Sequence, residues 1–112
     1  MDITTPQQVI SELNRLMESA QLGIDALYKA EVKTAELDQA YERELSLGLL
    51  NASGNVAERS AAAKLAASDA KLALDISKAE LNRIKAKLRA IDSAQVATSV
   101  IAKQVELMWK HA

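Results

Sequence analysis

The spacing of apolar residues between Ala63 and Ile91 constrains this chain more than any other feature. Ala67, Leu74, Leu81 and Leu88 recur every seventh residue, and Ala63, Ala70, Ser77, Ile84 and Ile91 fill the positions between them. Alternating steps of three and four put all nine on one stripe of an α-helix, the seam along which a second helix packs. Only Ser77 is polar. A long helix draws most of its stability from such packing rather than from propensity, so this stretch requires a partner helix.

The same chain offers one. Thr5, Pro6 and Gln8 make a capping box, with Thr at the N-cap, Pro at the first helical position and Gln at the third. Ile3 and Val9 lie one residue off the register of a hydrophobic staple. No further proline follows Pro6, which predicts a helix over 6–50, roughly 65 Å long at about 1.5 Å per residue. Gly23 and Gly48 are its weak points, at about 1 kcal/mol each against Ala. The segment NASGNVAERS ends it: a turn over 51–55 has Gly54 at the C′ position, and Asn55 caps the next helix with Glu58 three residues on. The second helix is expected over 56–91. At AIDSAQV the seam becomes polar, with Gln95 and Thr98, and Asp92 with Gln95 resembles another cap. A break at Asp92–Ser93 and a third helix over 94–110 are expected, with a continuous helix as the alternative. The fold class is all-α: a long antiparallel helical hairpin, coiled-coil-like, with a shorter C-terminal helix, in one helical domain spanning 1–112.

Composition agrees. Apolar residues are 49 % and aromatics 3 %, with three glycines, one proline and no cysteine. This is the balance of long packed helices, and it excludes disulfide frameworks and thiol-based metal or redox sites. No apolar run approaches the roughly 18 residues of a membrane span. The first residues, MDITTPQQ, have no secretory signature, so the expected location is the cytoplasm, with no membrane partner. The net charge of −1 argues against a generally basic nucleic-acid binder and leaves room for a local patch.

The first helix has its own seam: Gly23, Leu27, Ala30, Thr34, Leu37 and Tyr41. A hairpin turning near Asn55 pairs Tyr41 with Ala70, Leu37 with Leu74, Thr34 with Ser77, Ala30 with Leu81, Leu27 with Ile84 and Gly23 with Leu88. Three of these layers set large against small, which suits close packing. Lys64, Lys71, Lys78 and Lys85 then flank the seam. Their expected salt-bridge partners are Glu31 for Lys78, Asp38 for Lys71, Asp25 for Lys85 and Glu44 for Lys64. Residues 1–55 hold nine acids and four bases, and residues 56–112 hold six acids and ten bases. Complementary halves favour pairing and orientation more than stability, since an exposed pair contributes only about 0–1 kcal/mol.

Lys78, Arg83, Lys85, Lys87 and Arg89 crowd twelve residues that contain one acid, Glu80. Such a cluster suits phosphates in a sequence-independent, salt-sensitive contact. Met108 and Trp109, near the C-terminus, are candidates for a partner contact. Tyr28 and Tyr41 are expected in the core or at the seam edge. His111 has no second ligand at a useful spacing, and no phosphate loop, metal-binding helix motif or nucleophile elbow is present. Asp69 and Glu80 are two separated acids on one helix, weak material for acid–base chemistry. No catalytic activity, cofactor, metal or small-molecule substrate is expected. Leu65, Leu72 and Ile76 form a second stripe away from the seam, and Ile24, Tyr28 and Val32 add apolar residues on the first helix. These need a cover, so a homo-oligomer is expected.

The hairpin layout and the charge pattern of ERSAAAKLAASDAKLALD resemble the UvsY-type recombination mediators of tailed phages, over about Ala20 to Ile101. The resemblance implies ring-like assembly, single-stranded DNA binding through basic residues and help in loading a recombinase. Lys78, Arg83, Lys85, Lys87 and Arg89 would then face DNA, in the host cytoplasm if the protein is phage-encoded. Two other functions fit the same build. One is a small protein-binding inhibitor or adaptor, such as a phage blocker of a host defence complex. The other is a structural coiled-coil subunit.

Overall fold

The computed structural model describes residues 5–111. It is all-α, with three helices: α1 (Pro6–Asn51), α2 (Val56–Ala66) and α3 (Ser68–Lys110). The chain divides into two compact units, one formed by residues 1–26 and 84–112 and the other by residues 27–83.

The helix ends follow local chemistry. At the start of α1 the capping box closes in both directions: the Gln8 amide donates to Thr5 Oγ1 at 3.2 Å, and the Thr5 amide donates to Gln8 Oε1 at 3.1 Å. Ile3 lies outside the described residues. Gly54 takes a φ of 106°, the left-handed conformation that L side chains resist. Asn55 then caps α2, its Oδ1 accepting from the Glu58 amide at 2.8 Å. Arg59 donates from Nη2 to the Leu49 carbonyl at 3.0 Å, satisfying an orphan acceptor in the last turn of α1.

In the 27–83 unit α1 packs antiparallel to α2 and to the start of α3. Ala63, Ala67, Leu74 and Ser77 are buried. The expected polar layer is present: Thr34 Oγ1 and Ser77 Oγ lie 2.7 Å apart. Thr34 donates its one hydroxyl proton to the Ala30 carbonyl at 2.7 Å, so Ser77 is the donor within the pair. At Gly48 the helices approach so closely that a Cβ would lie 2.8 Å from the Cα of Ala63. Glycine is required there for backbone contact, which the helix propensity scale counts only as a cost.

The other unit pairs the first half of α1 with the second half of α3. Val9, Leu16, Thr98 and Val105 are buried. The Gly23 layer stands as expected, with a Cβ on Gly23 falling 2.6 Å from Leu88 Cδ2. Here the sequence expectation needs correction. The second helix does not end at 91, and no third helix begins at 94, because α3 runs unbroken through Asp92 and Ser93. The seam continues through Ile91, Ala94, Gln95, Thr98, Ala102 and Val105, all at least half-buried. Packing along it outweighs the local capping signature at Asp92.

The interruption falls at Ala67 instead. Hydrogen bonds span it, from the Ala67 amide to the Ala63 carbonyl at 3.0 Å and from the Lys71 amide to the Ala67 carbonyl at 2.9 Å. Ser68 Oγ donates to the Leu65 carbonyl at 2.8 Å, a side chain competing for a backbone acceptor. In the same unit the α1 seam steps from Tyr41 to Leu45 to Gly48, four residues and then three, which keeps the heptad whole.

Candidate functional site

The lysine row was expected to be spent on salt bridges across the seam. None of the four expected pairs forms: Glu31 with Lys78, Asp38 with Lys71, Asp25 with Lys85 and Glu44 with Lys64 all remain apart. Among the described residues there are two salt bridges, both within α-helical turns: Arg15 with Glu12, and Lys71 with Asp75 at 3.3 Å. Lys71 also sits over the Tyr41 ring, 5.4 Å from its centroid. The physical reason is the small return on an exposed interhelical pair, which must fix two long side chains in one geometry. A partner four residues along the same helix is already within reach.

Lys78, Arg83, Lys85, Lys87 and Arg89 are all exposed, and none makes an ion pair. Within neither unit do they all share one side of the helix. In the 27–83 unit, Lys78 and Arg83 are five residues apart on α3, about 140° around the helix. In the other unit, Lys85 and Arg89 share a side at a spacing of four. Lys87 lies roughly 160–200° from them. The exposed basic row is therefore Lys64, Lys71 and Lys78 in one unit and Lys85 with Arg89 in the other.

Tyr28 departs from expectation. It is 69 % exposed on α1, neither core nor seam edge, and presents an aromatic ring to solvent in the unit that holds Lys78. Tyr41 is half-buried, as expected of a seam position. Met108 and Trp109 are exposed at 62 % and 57 %. Trp109 lines an open hollow of about 410 Å³ with Pro6, Val9, Ile10, Ala102 and Val105. Sequence reasoning missed the Arg15–Glu12 pair, although its spacing of three was legible. The hydrogen bond from Arg15 holds the Glu12 carboxyl below the ordinary carboxylate range, and the same contact raises Arg15.

Apolar exposure is extensive. Six apolar side chains are buried, against eighteen large ones exposed among the described residues. Ile10, Met17 and Ile24 recur every seventh residue on α1, and Leu65, Leu72 and Ile76 line the outer side of α2 and α3. Among the described residues no helix is long and apolar enough to cross a membrane. Among the described residues no group of three or more His, Cys, Asp or Glu side chains is placed to hold a metal ion. Comparison with protein-family models, curated proteins and solved structures returned no significant match.

Proposed function

We propose that this chain is a non-catalytic helical protein that self-associates and binds single-stranded DNA, in the manner of a recombination mediator. One observation carries the reading: Lys64, Lys78, Lys85 and Arg89 are exposed and make no ion pair, so their charge is available to an external anion. Exposed cations without an internal partner, within either unit, suit a phosphate backbone, which is recognised without regard to sequence. The exposed Tyr28 ring adds a face on which a base can stack. Exposed apolar rows supply the surface for self-association or for a recombinase.

The test is fluorescence anisotropy of a labelled single-stranded oligonucleotide at low and physiological salt. Binding should weaken steeply with salt, by about 0.7 in the logarithmic slope for each phosphate neutralised. No binding at either salt overturns the reading. A protein-binding adaptor would then stand in its place, favoured by the exposed row of Ile10, Met17 and Ile24.

A further inference from the structure

We propose that the outer face of α2 and α3 in the 27–83 unit docks on the same face of a second copy of this chain. The two copies run antiparallel about a two-fold axis close to Ile76. The face consists of Leu65, Asp69, Leu72, Ile76, Ala79 and Arg83, with Leu65, Leu72 and Ile76 exposed at 77 %, 60 % and 62 %. Its steps are four, three, four, three, four. The buried seam of the same unit has an identical rhythm two residues earlier: Ala63, Ala67, Ala70, Leu74, Ser77 and Leu81. A displacement of two residues is about 200° around a helix, so the second seam lies opposite the first. A surface with that rhythm fits a helix carrying the same repeat, and the chain's own copy carries one.

Charge selects the occupant and its direction. Asp69 and Arg83 are the two charged members of the face, and they lie seven residues before and seven after Ile76. An antiparallel pairing centred there sets Asp69 of each copy opposite Arg83 of the other, so one symmetry operation closes both ion pairs. A parallel pairing in register would set like charges together, which costs affinity. Neither residue is engaged in a salt bridge within its own chain. Asp75 borders the face and is already neutralised by Lys71 at 3.3 Å. This assignment rests on the self-association in the proposed function and moves Arg83 from the DNA-facing set to the interface.

Charge reversal followed by sedimentation velocity across micromolar concentrations tests it, with circular dichroism as the check on folding. Arg83→Asp and Asp69→Arg should each weaken self-association on the order of tenfold, and the double reversal should restore it. The chain has no cysteine, so an equimolar mixture of Asp69→Cys and Arg83→Cys chains should form a mixed disulfide dimer under oxidation. Self-association that ignores both reversals, with no mixed dimer, overturns this interface and leaves the broader reading standing. An unmodified chain that stays monomeric throughout overturns both this interface and self-association, while DNA binding is judged separately by anisotropy.

Discussion

The two packing units use one heptad rhythm and fill it differently. The 27–83 unit closes on small residues, with Gly48 against Ala63, adds the Thr34–Ser77 hydrogen bond, and flanks its seam with Glu31, Asp38 and lysines. The other unit closes on larger side chains, Val9, Leu16 and Val105, and places Ile10, Met17 and Ile24 where its counterpart has acids. A buried polar layer favours one register at some cost in stability. An apolar flank leaves register less defined and offers surface for a partner. The same seam can therefore specify in one unit and present in the other.

The largest expected effect is at Leu74, which is 2 % exposed in the 27–83 unit. Leu74→Ala should destabilise by about 2–5 kcal/mol in urea titration, by lost burial and the cavity left behind. Hydrogen exchange should then lose more protection in residues 27–83 than in the other unit. Equal loss in both would mean that the two units unfold as one, and would end the contrast. The glycines sharpen it further. A methyl at Gly48 meets the Ala63 backbone at 2.8 Å and cannot be relieved by a rotamer, so Gly48→Ala should cost about 1–3 kcal/mol. At Gly23 the obstacle is the flexible end of Leu88. Gly23→Ala should cost less, offset by about 1 kcal/mol of helix propensity. Thermal melts in which Gly23→Ala proves the more damaging would contradict this account of the two layers.

What could be read from the sequence depended on range. The caps at Thr5 and Asn55 were legible because each is settled within three residues. The Thr34–Ser77 and Gly23–Leu88 layers were legible because the turn near Asn55 fixes the register. The break at Ala67 was not, because no glycine or proline marks it; there a Ser68 hydroxyl takes the Leu65 carbonyl. Asp92 and Gln95 gave a genuine local signal, and continued burial through Thr98 and Val105 overrode it. The expected salt bridges failed for an energetic reason. Exposed charges on two helices gain too little to hold a geometry, and spacing alone does not reveal that.

Whether the lysines serve binding or the helix pair is tested most directly by one variant carrying Lys78→Gln and Lys85→Gln, assayed for single-stranded DNA affinity and for thermal unfolding. The account predicts weaker binding, a salt dependence shallower by about 1.4 in slope for two lost phosphate contacts, and an unchanged unfolding midpoint. A lowered midpoint with undiminished DNA affinity would return the lysines to the seam and contradict the account.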